Sequence, residues 1–147
     1  IGLSATTIGL ILGSFGAAAF VIRLAIPPVT ARWGERAMLS AALALSVVAF
    51  VSFPLTSNPL LLSVAAFVLG LGLGCGQPLS MILAFNAAPQ GRSAEAIAMR
   101  LAVSYGAHVV IPPLFGAIGA SLGIAPIFWT CAMLMGGGSL LNRGEKR

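Results

Sequence analysis

No Asp, Glu, Lys or Arg occurs between Ala37 and Gly91, and none occurs between Leu101 and Asn142. Each stretch far exceeds the roughly 20 apolar residues that cross a bilayer once, so each has room for two crossings and a turn. Only 7% of the chain is charged, against about 25% in a soluble domain. Such a chain cannot cover its surface with groups that water solvates. In hydrocarbon every backbone polar group must be satisfied internally, which leaves helices or a closed barrel. A barrel requires short alternating strands. The apolar runs here are continuous and rich in Ala, Leu and Gly, so the expected fold class is all-α, a polytopic bundle of five transmembrane helices.

Proline, glycine and charge divide the runs. Helix one is expected over 4–28, closed by Pro27-Pro28, because proline removes a donor and restricts the residue before it. Pro54 to Pro59 reads as a turn, placing helix two at 38–53 and helix three at 60–85. Ala88 to Arg92 forms the next loop. Ser93 reads as a hydroxyl cap, with Glu95 in the first turn of helix four, 94–120. Gly123 and Pro126 break the last stretch before helix five, 126–141, which is short for a span. Residues 142–147 read as a polar tail. The whole, 1–147, is one membrane domain.

Charge supplies the topology. Arg32 and Arg36 follow helix one, Arg92 and Arg100 follow helix three, and Arg143, Lys146 and Arg147 follow helix five. The turns after helices two and four carry none. Lys and Arg accumulate in short cytoplasmic loops, so the start of the chain is expected outside and its end in the cytoplasm. The chain begins at Ile1 without a signal-peptide pattern. This points to a piece of a longer protein whose upstream helices are missing partners. The net charge of +5 does not imply nucleic acid, because the basic residues are dispersed beside apolar runs. Cys75 and Cys131 read as small buried hydrophobes. No cofactor or metal motif is present.

A few residues break the apolar pattern. Gly70/Gly74 and Gly72/Gly76 are small-xxx-small pairs, expected to let helix backbones approach closely. A phosphate loop is excluded, since no strand precedes the run and no Gly-Lys-Ser/Thr follows it. Pro78 frees the carbonyl of Gly74 near mid-membrane, and Gln77 adds an amide at similar depth. Gln77 reads either as a helix–helix hydrogen bond or as a cavity-lining group. Arg100, Ser104 and His108 are spaced as one polar stripe. Pro112 and Pro113, expected with Pro78 to kink their helices, free the carbonyls of His108 and Val109. His108 reads as a pathway group or as a buried neutral ring, and Arg100 as snorkelling to the cytoplasmic surface. Arg23, about 12 Å from the first loop at 1.5 Å per residue, either snorkels or holds an anion or counter-charge. Ser104 and His108 lack an orienting acid and an oxyanion hole, so hydrolysis is not expected and the chain is not read as an enzyme. Helix two offers only serines and helix five only Thr130 and Ser139 as polar groups. These can bond to their own helices, so both helices look peripheral, and helices one, three and four look interior.

Pro27 to Arg36 resembles, in weakened form, the cytoplasmic loop motif Gly-x-x-x-Asp-Arg-x-Gly-Arg-Arg of the major facilitator superfamily. Arg32, Gly34 and Arg36 match; Pro27, Ala31 and Glu35 depart. Gly91-Arg92-Ser93 through Met99-Arg100-Leu101 is similar to the cytoplasmic start of that family's eleventh helix, and Pro112 to Gly116 to its outer half. The resemblance implies the C-terminal half of such a protein, about helices eight to twelve; helices two to six of the N-terminal half are the alternative register. It further implies secondary active transport of a small solute by alternating access, with the site at the midplane between two halves. Gln77, Ser104, His108 and Arg23 then become the substrate-pathway candidates, while helices two and five would face lipid. The implied partners are the lipid bilayer, a small-molecule substrate and the proton as a coupling ion; nucleic acid is not among them. Glu35, Glu95 and Glu145 all lie at cytoplasmic edges, so a proton, if coupled, would need a missing acid or His108. The competing reading is a non-transporting membrane subunit or scaffold whose polar groups only pack helices.

Overall fold

A computed structural model describes residues 4–144, and among them it is helical throughout apart from short turns. The five helices are α1 (Ala5–Trp33), α2 (Glu35–Ser52), α3 (Pro59–Ala87), α4 (Ser93–Leu122) and α5 (Ala125–Gly144), with a 3-10 turn at Phe53–Leu55. Four of them, α1 to α4, are long and apolar enough to cross a bilayer. The expectation of five such spans is therefore met by four, and α5 lies against α2 as its companion.

Several boundaries differ from the sequence expectation. Pro27 and Pro28 do not end α1, which runs on to Trp33. Proline leaves the carbonyls four residues back unpaired but does not forbid helix when neighbours supply bonds. Pro27 and Pro28 thus free the carbonyls of Arg23 and Leu24 without breaking α1, and the Thr30 hydroxyl bonds back to the Ile26 carbonyl at 2.7 Å in the turn that follows. The stop is Gly34, at φ 82, a value that side-chain-bearing residues avoid. Its N–H closes on the Thr30 carbonyl at 2.9 Å. What read as a loop from Pro27 to Arg36 is thus a turn at one glycine, with Arg32 on α1 and Arg36 in the first turn of α2.

Ser93 is likewise no cap but the first residue of α4, and Arg92 precedes it without capping by its side chain. The Arg92 guanidinium instead meets the Glu95 carboxylate over the exposed first turn. α5 continues past Leu141 to Gly144, because Asn142 is held by α2 rather than released into a tail. Glu145, Lys146 and Arg147 lie outside the described residues.

The packing runs from α1 through α3 and α2 to α5. Along α3, Gly70 and Gly74 meet Phe15, Ala18 and Ala19 of α1 in ascending order, so α1 and α3 run parallel. Gly72 meets Ala42 and Ser46 of α2, while Asn86 near the end of α3 reaches Glu35 at the start of α2. These two run antiparallel. α5 lies antiparallel on α2, with the Phe128 and Phe53 rings stacked at 5.3 Å at one end and Asn142 on the Arg36 carbonyl at the other. The ends bearing Arg32 and Arg36, the end of α3 and the end of α5 therefore gather on one side. Ile26, Met38, Ala42, Cys75 and Leu79 form the core between α1, α2 and α3.

Within this chain α3 is interior as expected, while α2 and α4 exchange the places expected of them. α2 buries Met38, Ser40, Ala42, Ser46 and Ala49, whereas α4 buries nothing. Small residues explain it: dispersion contacts drive helix association in lipid, and the closest approach goes to faces without bulk. Ser46 and Ser52 do bond back to their own helix. Ser139 instead donates to the Ser40 carbonyl at 3.2 Å, and Asn142 donates to the Ser40 hydroxyl at 2.7 Å. The polar groups of α2 and α5 thus fasten those two helices together.

Candidate functional site: a polar seam on the open face of α3

α3 presents two different surfaces. A Cβ on Gly70 would collide with the Phe15 carbonyl oxygen, and one on Gly74 would lie 2.7 Å from the Ala19 Cα. One on Gly72 would strike the Ser46 hydroxyl. These three glycines set backbone separation. Gly76 does not share the role expected of it, since nothing lies within 4 Å of the Cβ it lacks. It belongs to the other, open surface, with Gln77 and Ser80.

On that surface α1, α3 and α4 bring polar groups together. Pro78 cannot donate to the Gly74 carbonyl, and Arg23 of α1 supplies the missing donor: its Nε lies 3.2 Å from that oxygen. Arg23 is therefore anchored at depth rather than extended along the helix toward the surface. From the opposite side, Arg100 of α4 donates Nη1 to Gln77 Oε1 at 3.3 Å. Its Nη2 reaches the Ser80 hydroxyl and, at 3.5 Å, the Gln77 carbonyl. The Ser80 hydroxyl in turn donates to the Gln77 carbonyl at 3.0 Å. Arg100 thus joins α4 to α3 instead of snorkelling outward. Ser80 had not been singled out in the sequence, although its spacing of three from Gln77 puts both on one helical face.

Arg23, Ile26, Pro27, Gln77, Pro78 and Met81 line a groove of about 410 Å³. Gln77 lies roughly 15 Å from the end of α3 at Ala87, at 1.5 Å per residue. This is close to half of a 30 Å hydrocarbon core. Arg100 and Ser104 line a neighbouring groove with Ala84, Ala87 and Met99.

The other candidates fall elsewhere. His108 is exposed on α4, edge-on to the Tyr105 ring at 6.4 Å, and is not brought to Gln77. Ser104 is half-buried. α4 remains helical through Pro112 and Pro113, as α3 does through Pro78. At the basic end Trp33, Gly34, Glu35, Arg36, Leu83 and Asn86 surround a further groove. There Asn86 Nδ2 donates to both Glu35 oxygens, at 3.0 and 3.3 Å. Asn86 was not singled out in the sequence either, because only packing brings it to the first turn of α2. Cys75 is buried and Cys131 half-buried, both as free thiols. Among the described residues no group of three or more His, Cys, Asp or Glu could hold a metal ion.

The family model described as Major Facilitator Superfamily matches residues 1–144. No curated protein and no solved structure matched the chain. The match spans nearly the whole sequence, and the four apolar helices and basic turns agree with a multi-pass, transporter-type membrane protein. The chain belongs to the major facilitator superfamily.

Proposed function

We propose that the chain contributes to secondary active transport of a small solute by alternating access, and that its solute pathway runs along the open face of α3. One observation carries the reading. Charged and amide groups of three helices, Arg23, Gln77 and Arg100, meet near mid-membrane beside an open groove. Ionisable groups at that depth are costly and mark pathways. α4 supports the reading, since it buries no residue fully and, away from its contacts with α3 and α5, leaves a broad face available to lipid or to further helices. The weakened loop motif at Arg32, Gly34 and Arg36 favours helices eight to twelve of a C-terminal half over helices two to six of an N-terminal one. Its basic turns face the cytoplasm across an inner or plasma membrane.

The test is uptake of a mixed small-solute library into proteoliposomes of the full-length protein, read by mass spectrometry. Selective accumulation that falls in the Gln77→Leu variant supports transport; accumulation no greater than in empty vesicles leaves the scaffold reading. Transport by His108→Ala that keeps its pH dependence would remove the histidine from proton coupling.

A further inference from the structure

We propose that the groove on α3 takes an oxyanion, a carboxylate or phosphate group, held by Arg23, with the Gln77 amide as a neutral donor and Arg100 reaching in across Gln77 from the neighbouring groove. The inference rests on the transport reading for calling that anion a substrate, and it names the substrate's chemical class.

The first observation is an imbalance of charge. Two guanidinium groups enter the same seam from opposite sides, Arg23 from α1 and Arg100 from α4. Among the described residues the carboxylates are Glu35 and Glu95. Glu35 accepts from Asn86 at the helix ends, and Glu95 pairs with Arg92 in the loop. Both seam arginines bond only to neutral acceptors: the Gly74 carbonyl, the Gln77 amide and carbonyl, and the Ser80 hydroxyl.

The second observation is depth. Arg100 lies roughly 10 Å inside the start of α4, and Arg23 roughly 15 Å inside the end of α1, at 1.5 Å per residue. Water there is scarce, and neutral hydrogen bonds do not discharge a cation. Arg23 lines the groove with Gln77, and Arg100 lines the neighbouring groove and reaches Gln77 from there, so positive charge on both sides of that amide favours an anion beside it.

The third observation is donor geometry. Arg23 uses Nε on the Gly74 carbonyl, and its terminal nitrogens remain available to the groove that Arg23 lines with Gln77. The donors left on the terminal nitrogens can match the two oxygens of a carboxylate or the face of a phosphate. Gln77 accepts from Arg100 through Oε1, and its Nδ-equivalent amide nitrogen, Nε2, remains a donor. Pro78 creates the arrangement, because without it the Gly74 carbonyl would be satisfied within α3 and Arg23 would lose its anchor.

The experiment titrates benzoate and inorganic phosphate into the full-length protein in phosphatidylcholine nanodiscs and reads the thermal unfolding midpoint. Benzamide and benzylammonium serve as neutral and cationic counterparts. A saturable rise with benzoate or phosphate alone is expected, with the apparent affinity weakened at least ~10-fold in Arg23→Gln and in Arg100→Gln, about the loss of one charge-assisted contact. If either variant fails to fold, Arg23→Lys and Arg100→Lys keep the charge but lose the fork, and their midpoint concentrations must shift.

A second set of nanodiscs contains phosphatidylglycerol. If that lipid abolishes the response of the wild type, the site stands and a lipid headgroup is its source of phosphate; an unchanged response makes a dissolved anion the ligand. No response to any anion or to the lipid overturns the proposal. So does an equal response to benzamide or benzylammonium, or a response that the arginine variants share unaltered. Anion binding without flux of any solute would defeat the transport reading and spare the site. Flux of neutral or cationic solutes without anion binding would do the reverse.

Discussion

α3 has one face that is closed and one that is open, and the two are built on opposite principles. The closed face, Gly70, Gly72 and Gly74, holds no side chains, so α1 and α2 approach to backbone contact. Its neighbours Cys75 and Leu79 are almost fully buried. The open face begins only two residues beyond Gly74, at Gly76, and carries Gln77, Pro78 and Ser80. The same residue type does opposite things on the two faces. At Gly74 absence of a side chain admits another helix, and at Gly76 it merely leaves space. Bilayer lipid is as apolar as leucine, so helices associate where shape and small size permit. Polar groups remain where they can bond across a seam.

The contrast can be broken most directly at Gly70. Gly70→Leu would drive a side chain into the Phe15 carbonyl and Ala18, and is expected to cost about 3 kcal/mol or more, the upper end of overpacking penalties. Equilibrium unfolding in mixed detergent micelles measures it; a stability close to wild type would refute the close approach of α1. Gly74→Ala is the milder form and should cost about 1–3 kcal/mol for the same reason.

The proline-made acceptor gives the next test. Arg23→Leu leaves the Gly74 carbonyl without its donor and should cost about 1 kcal/mol, the scale of one hydrogen bond within a membrane bundle. In a Pro78→Ala background the restored N–H serves that carbonyl, so the cost of Arg23→Leu should shrink. A double-mutant cycle without coupling would separate Arg23 from Pro78. Asn142→Ala removes the bonds to Ser40 and to the Arg36 carbonyl. It should cost about 1 kcal/mol, read as reduced protection of the end of α5 from proteolysis. The smallest effects belong to the open side. Gly76→Ala meets nothing and should stabilise by at most about 1 kcal/mol through helix propensity, and Val109→Ala should change stability by no more than about 0.5 kcal/mol in either direction. A large loss at Val109 would mean that α4 is packed far more tightly than its exposure allows.

How far the chain could be read in advance depended on the range of the interaction involved. Gly123 was legible as a stop, because positive φ is a local property of one residue, whereas Gly34, which shares that property, was passed over for Pro27-Pro28. Pro27 and Pro28 were misread as a stop, because whether a proline ends a helix depends on its neighbours. Asn142 looked like the start of a tail, and nothing in its own surroundings shows that Ser40 would bind it. The serines of α2 looked self-sufficient, and Ser46 and Ser52 are, but Ser40 is not. Pro78 marked the Gly74 carbonyl as free, while the partner that takes it, Arg23, is remote in sequence.

The sequence by itself determined that this protein lives in a membrane, roughly where its chain turns, and which turns share a side. Those follow from hydropathy, from proline and glycine, and from the placement of arginine, all of which act over a few residues. Only the tertiary structure decided which helix is enclosed and which is exposed, which glycines matter, and that Arg23 takes the Gly74 carbonyl while Arg100 takes Gln77. In lipid, hydrophobicity no longer ranks one apolar face above another, so the arrangement of helices rests on fit and on hydrogen bonds between residues far apart in the chain.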